Sequence, residues 1–455
     1  MKLVLLSGGS GKRLWPLSND ARSKQFLKVL QNDQGNMESM VQRVWRQMGR
    51  AGLARHASIA TGRGQVDMIQ SQIGPEVSVI VEPQRRDTFP AIALAAVYLY
   101  SIQGVSLNEV VAILPVDPYV EDSFFDKIKE LEGAVAATGA DLALMGVKPT
   151  YPSEKYGYVV PEADSGDTSE VMMVSRFAEK PSREKAEALI AEKALWNCGV
   201  FAFKLNYMIN LLMELGLPIH YEEMLRQYHR LPKISFDYAV VEKAEQIVVL
   251  PYAGEWKDLG TWNTLTEEIQ APLIGNGTIC GDSKNVHMIN ELDIPIAVLG
   301  VSNIIVSASP DGILVADKNA SPKVKDLIGH LEQRPMYEER RWGSYRVLDF
   351  KKFPEGQEVL TKRICISAGK NLSYQTHAKR SEVWTVIAGS GQFVLEDRIG
   401  SLQAGDVVKI PVGAKHSIRA FTDLEIIEVQ TGSELVEDDI ERLTMSWEEI
   451  VSLCR

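Results

Sequence analysis

Cysteine is scarce in this chain. Only Cys198, Cys280, Cys365 and Cys454 stand in 455 residues. Their wide spacing excludes paired-cysteine zinc motifs and a disulfide framework, and reads as reduced thiols in a reducing compartment. Long apolar runs are also missing. The first one, Leu3 to Leu6, is cut short by glycines, which is too brief for a secretory leader. Nothing approaches the roughly 20 apolar residues of a membrane-spanning helix. Positive charge is in deficit, with 49 Lys and Arg against 60 Asp and Glu, a net charge of −11. That balance argues against nonspecific binding to nucleic acid or anionic membrane. A cytoplasmic protein without a nucleic-acid or membrane partner is expected, and homo-oligomers are compatible with it. No long repeat or low-complexity tract is present.

Two familiar phosphate loops are absent as well. The stretch LVLLSGGSGKRLWPLSNDARSKQFLKV (3–29) is glycine-rich and basic. A P-loop needs glycine where Leu6 stands and Ser or Thr where Arg13 stands. The dinucleotide fingerprint needs its third glycine where Leu14 stands. What remains is a loop of Gly8, Gly9, Ser10 and Gly11, whose backbone N–H groups can meet phosphates. Arg13 adds a planar cation and Lys24 a point charge. Pro16 forbids a long helix directly after the loop.

Residues 1 to about 265 alternate short apolar runs with helical patterns. Strands are expected at 3–6, 56–61, 77–83, 110–116 and 141–147, and helices at 38–52, 63–73, 90–102 and 123–138. That alternation predicts a doubly wound, Rossmann-like α/β domain with a largely parallel sheet. In such a sheet ligands sit beyond the carboxyl ends of the strands, where the glycine loop falls. Asp117 stands two residues past a buried run, well placed for Mg2+. Asp258 is a second carboxylate that can share that ion. From about 270 the texture changes to short β runs with Gly, Asn and Asp, a small solenoid-like region closed by a helix. Turn-punctuated short strands then predict a C-terminal all-β barrel. The expected domains are 1–268, 269–335 and 336–455.

In the last of these, Gln375 and His377 lie two apart, so on a strand they share a face. Glu382 follows after a turn and His416 comes from a later strand. Together the four can ligate a divalent metal such as Zn2+.

Eight motifs in order carry a resemblance: the opening loop, EPQRRDTFPAIALAA (82–96), LPVDP (114–118), YGYV (156–159), FAEKP (177–181), WNCGVFAF (196–203), FDYAVVEKA (236–244) and WKDLGTW (256–262). As a set they resemble the sugar-phosphate nucleotidyltransferases, specifically bacterial mannose-1-phosphate guanylyltransferases. The resemblance implies GTP and mannose 1-phosphate as substrates and Mg2+ as cofactor. It implies that the glycine loop, Arg13 and Lys24 hold the triphosphate, and that Glu82, Pro83 and Arg86 lie beside the base and sugar site. It further implies that Asp117 and Asp258 bind the metal, and that Gly157, Glu179, Lys180 and Asn197 line the sugar phosphate. Asp87, Phe89 and Pro118 depart from the family's usual Asn, Ala and His.

GKNLSYQTHAKRSEVWTVIAG (369–389) and GDVVKIPVGAKHSIRAF (405–421) resemble the two cupin motifs. The C-terminal part is similar to type II phosphomannose isomerase modules, which implies a second activity as mannose-6-phosphate isomerase. Lys379 and Val383 stand where that signature often carries His. Two other readings fit the same chain: transfer with another nucleotide and sugar phosphate, or a noncatalytic sugar-nucleotide binder. The last predicts decay of the charged set, yet Arg13, Lys24, Asp117, Lys180 and Asp258 are all present.

Overall fold

A computed structural model describes residues 1–9, 12–19, 21–162, 170–331 and 333–454. The chain forms two compact units. One is Met1–Leu14 with Ser23–Ala271, the other Trp15–Arg22 with Pro272–Arg455.

The first unit is built on a nine-stranded sheet. Its strands are β1 (Lys2–Ser7), β2 (Ala57–Gly62), β3 (Ser78–Glu82), β4 (Val110–Pro115), β5 (Leu142–Val147), β6 (Tyr158–Pro161), β7 (Met172–Ala178), β8 (Leu195–Lys204) and β9 (Ile247–Tyr252). Their spatial order is β3-β2-β1-β4-β8-β5-β9-β7-β6. Strand alternation buries both faces: Leu3 and Leu5 of β1 join one apolar cluster and Val4 joins the other. Helices α1 (Met40–Arg50) and α4 (Ser123–Thr138) pack into the first cluster, and α3 (Thr88–Ser101) into the second; α2 (Val66–Ile73) adds Met68 and Ile69 to the first. Helix α3 is apolar nearly all round, so it is buried nearly all round.

The sheet is mixed where the sequence pattern predicts a largely parallel one. Strands β1 to β4 pair in parallel, as do β5 and β9. But β8 runs antiparallel between β4 and β5, and β7 pairs antiparallel with both β6 and β9. The reversal is written in WNCGVFAF, which reads as a motif and conceals an internal strand.

In the second unit, Leu273–Gly275, His287–Asn290 and Ile304–Ser309 pair in parallel, as do Gly277–Ile279 and Ile296–Val298. This is the expected solenoid-like region, wound around Val286, Met288, Val298 and Val306. Two antiparallel sheets of six and five strands then form the barrel, packed around Trp384 and its apolar neighbours. Solenoid and barrel lie in one compact unit, in which the Met336 N–H donates to Asp311 at 2.7 Å and Arg346 pairs with Asp293 at 3.1 Å. Residues Trp15–Arg22 join this unit too. Ser309 donates to the Pro16 carbonyl at 2.7 Å, Asn19 donates to Asp311 at 2.7 Å, and Arg22 pairs with Glu291 at 2.9 Å.

Candidate functional site

In the first unit a cleft of about 270 Å³ opens beyond the carboxyl ends of the central strands. Register assembles its charged end. The short strand Trp256–Asp258 pairs antiparallel with Pro118–Val120, and Asp258 faces Pro118. Asp258 therefore lies beside Asp117, which follows β4. Between them stands Lys24, whose Nζ is 2.8 Å from Asp117 Oδ2 and 2.9 Å from Asp258 Oδ1. Burial works against the Lys24 ammonium, but the charges of Asp117 and Asp258 outweigh it and raise its pKa. Burial likewise pushes the Asp258 carboxyl up, and Lys24 with Arg13 and Lys155 overcomes it, leaving the pKa lowered. The ammonium marks a place built for a cation between two hard oxygen donors. That donor chemistry fits Mg2+.

The glycine loop follows β1. An added Cβ at Gly8 or Gly9 would meet nothing nearer than 3.9 Å. Internal packing does not require the bare backbone there, which leaves it open to a ligand. Ser23 Oγ donates to the Gly9 carbonyl at 2.8 Å. Beneath it the side chains of Ser7, Thr61, Gln25 and Gln65 form a buried polar net, so the turn leading to Lys24 is held from below. Arg13 is exposed on the short 3-10 turn Lys12–Leu14.

The same cleft is lined by Lys155, Gly157, Glu179, Asn197 and Asp237. Gly157 must lack a side chain, because a Cβ there would lie 2.6 Å from Glu179 Oε2 and 2.7 Å from Phe177. Lys180 pairs with Glu179, from a backbone at φ +44°. Asn197 Oδ1 accepts from the Gly199 N–H at 3.0 Å, which turns its amide to donate to Asp237 Oδ1 at 2.8 Å.

The barrel holds a second cluster. His377 Nε2 is 3.3 Å from Glu382 Oε1, and His416 Nε2 is 3.6 Å from Glu382 Oε2. Gln375, expected as a fourth ligand, instead turns its amide nitrogen to the same two ring nitrogens at 3.3 and 3.5 Å, because its Oε1 accepts from the Ser373 hydroxyl at 2.7 Å. Each ring's Nδ1 faces a backbone carbonyl, Asp439 at 2.6 Å and Ala414 at 2.9 Å. That arrangement places the proton on Nδ1 and leaves Nε2 the lone pair that metal-ligating histidines use; at His377 this Nε2 accepts from Arg380 Nη2 at 3.2 Å. Burial, with Arg380 beside it, pushes His377 down to about 4, and burial also lowers His416. Both rings are thus neutral. The donor set fits a divalent transition metal.

Residues 2–273 match the family Nucleotidyl transferase, and residues 330–445 match Mannose-6-phosphate isomerase C-terminal. The xanthan biosynthesis protein XanB of Xanthomonas campestris pv. campestris (strain B100) is 32% identical, over 96% of this chain and 97% of its own. The mannose-1-phosphate guanylyltransferase of Salmonella montevideo is 30% identical, over 97% of this chain and 98% of its own. A solved mannose-1-phosphate geranyltransferase from Thermus thermophilus superposes with a TM-score of 0.61 at 28% identity, covering 73% of this chain and 100% of that one. The chain belongs to the nucleotidyl transferase family. It is a sugar-phosphate nucleotidyltransferase with a C-terminal mannose-6-phosphate isomerase domain.

In this nucleotidyltransferase the structure gathers Lys24, Asp117, Gly157, Glu179, Asn197 and Asp258 around one cleft. Ser10 and Gly11 lie outside the described residues. Glu82 is buried beside Gly8 and accepts from the Tyr228 hydroxyl at 2.7 Å; burial raises its pKa against that bond. Pro83 is exposed, and Arg86 donates to the Leu231 carbonyl at 2.7 Å. Asp87 has φ +75° and accepts from the Thr88 N–H at 2.8 Å. With ψ −177° this lies outside the left-handed helical region that Asn and Asp favour; an Asn side chain offers the same acceptor oxygen, so the departure from Asn keeps the cap. Sequence reasoning missed Lys155 and Asp237, although both sit within or next to quoted motifs. In the barrel it missed Arg380, which donates to Glu382 at 3.0 Å, and Glu428, whose pKa is raised by burial and by Glu382 beside it.

Among the described residues, no helix is long and apolar enough to cross a membrane.

Burial, with Glu179 adding its charge, holds the Asp237 carboxyl up at about 7 against an ordinary 3.8. Between those two pH values the folded chain keeps a proton that the unfolded chain has released. Stability therefore falls as pH rises through that window, by up to about 1.4 kcal/mol per pH unit. Asp237→Asn removes the effect. The variant is expected to melt several degrees above the wild type at pH 8 and close to it at pH 4. Paired thermal scans at the two pH values check this, and an equal offset at both would count against it.

Proposed function

We propose that the first unit transfers GMP from GTP to mannose 1-phosphate, giving GDP-mannose and pyrophosphate. The observation that carries this is Lys24 set between Asp117 and Asp258 in a cleft that Glu179, Asn197 and Asp237 also line. The base and the sugar come from the relatives' names. A phosphate oxygen of the sugar 1-phosphate attacks the α-phosphorus in line. The new P–O bond forms as the bond from the α-phosphorus to the β-phosphate's bridging oxygen breaks, and pyrophosphate leaves with that electron pair. The nucleophile is already anionic, so no general base is needed, and the protein's work is positioning and charge neutralisation. Arg13, Lys24 and the glycine loop meet the triphosphate, and Lys180 meets the sugar's phosphate. Asp117 and Asp258 would hold Mg2+, which supplies charge stabilisation at the reacting phosphate.

The barrel's reaction is the interconversion of mannose 6-phosphate and fructose 6-phosphate. His377, Glu382 and His416 would hold its divalent ion, with Gln375 joining them if its amide turns the oxygen inward, and the ion polarises the sugar's oxygens when bound. Arg380 keeps Glu382 oriented. These substrates fit a cytoplasmic enzyme.

A panel of nucleoside triphosphates against hexose 1-phosphates, read by pyrophosphate release, tests the transfer. GTP with mannose 1-phosphate is expected to give the highest kcat/KM; a different best pair would reassign the substrates.

A further inference from the structure

Asp237 is an expensive group in an unusual place. It stands on the short helix Phe236–Ala239, locked from several sides. Phe236 is fully buried against Phe201 and Phe203, with ring centroids 5.0 and 6.0 Å away. The Phe236 N–H donates to Thr88 Oγ1 at 2.8 Å, and Ser235 Oγ accepts from the Tyr238 N–H at 3.3 Å. The backbone beneath Asp237 is therefore fixed. Its Oδ1 is fixed in turn by the Asn197 amide at 2.8 Å.

The charges of Glu179, Lys180 and Asp87 act on it. The ammonium of Lys180 is taken by Glu179. Asp237 thus lines the cleft as a second carboxylate beside Glu179. A packed protein has no structural need for such a pair, because two desolvated acids within one wall repel each other. Their use is as acceptors. Above about pH 7, where it is ionised, the Asp237 carboxylate has about four lone-pair sites, and one is taken by Asn197. A ring that presents several hydroxyls fits the remainder.

We infer that Asp237 determines specificity by accepting hydrogen bonds from hydroxyl groups of the hexose ring, alongside Glu179. This rests on the sugar-phosphate transfer reading and deepens it. A site built to bind a hydroxyl penalises the analogue that lacks it, since the buried acceptor is left unpaired. The signature is therefore a change in selectivity as well as in affinity.

The test uses the full-length enzyme with GTP and mannose 1-phosphate or its monodeoxy analogues. Asp237→Ala is expected to raise KM for the sugar phosphate about 10- to 100-fold, the worth of one or two hydrogen bonds to a charged acceptor. KM for GTP should hold within about twofold, because Asp237 is placed with the sugar-binding groups rather than with the glycine loop. The preference for mannose 1-phosphate over at least one deoxy analogue should shrink, and Asp237→Asn, which keeps one acceptor oxygen, should recover part of it. An alanine variant with wild-type KM and wild-type deoxy ratios overturns the inference, as does an equal rise in KM for GTP. Absence of turnover by the wild type with every sugar phosphate would sink the transfer reading and this inference with it. That failure is told apart because it shows before any variant is made.

Discussion

Asp258→Asn is expected to lower kcat for pyrophosphate release by about 10²- to 10³-fold, the usual loss when one preorganised charge is removed from a transfer site. The geometry explains the size. Lys24 is shared between two carboxylates at 2.8 and 2.9 Å. Two negative charges against one positive leave a net place for a divalent cation. With Asn at 258, Lys24 and Asp117 form a self-satisfied pair, and the pull on Mg2+ falls. The amide keeps the size of the side chain, so the short strand pairing with Pro118–Val120 should persist. The check is kcat at saturating GTP and mannose 1-phosphate across a Mg2+ series, with circular dichroism to confirm the fold. A variant that matches wild-type kcat at ordinary Mg2+ would remove Asp258 from the metal assignment. Because Lys24 leads the groups that hold the Asp258 pKa below the ordinary carboxylate value, the acid limb of the wild-type pH profile should lie below that range.

His416→Ala is expected to abolish fructose 6-phosphate conversion, by at least about 10²-fold, while leaving pyrophosphate release intact. His416 contributes one of the inward Nε2 donors and is buried. Alanine leaves His377 and Glu382 as the remaining imidazole and carboxylate of that cluster. Metal content measured on the purified chain should fall with the activity. Chelator followed by Mg2+ alone should restore transfer and leave isomerisation low. Isomerase activity that survives both the substitution and the chelator would refute the metal assignment. The separation is expected because the groups of each site lie within different compact units.

Much of the site was legible because its chemistry is local. Gly8 and Gly9 follow an apolar run, and Asp117 follows another, so each lands at a strand's carboxyl end. The partnership of Asp117 and Asp258 was not legible from spacing. It depends on a short antiparallel pairing that joins residues far apart in sequence, and the run WKD has no periodicity to announce it. Asp237 was hidden for a different reason. Its helix is only Phe236–Ala239, and an acid beside a buried aromatic reads as a solvated turn until Asn197 is seen pointing at it. In the barrel, Gln375 and His377 showed themselves by strand alternation. Arg380 and Glu428 did not, since a charged residue on an alternating strand reads as outward-facing by default. The mixed sheet escaped because pattern reveals that a strand exists, while its direction is set by the connections around it.

The assignment of Trp15–Arg22 to the second unit bears on how this chain can be divided. Leu14 and Ser23, on either side of the stretch, belong to the first unit. Trp15 lies so close on Gly312 that a Cβ there would be 2.4 Å from its indole, and Asn19 and Arg22 have their partners at Asp311 and Glu291. The backbone between Arg13 and Lys24 is therefore shaped by residues 269 to 293 positions downstream. A cut at Ala271 would strip Trp15, Asn19 and Arg22 of Gly312, Asp311 and Glu291. Fission of the two activities would have to carry the solenoid along with the transferase.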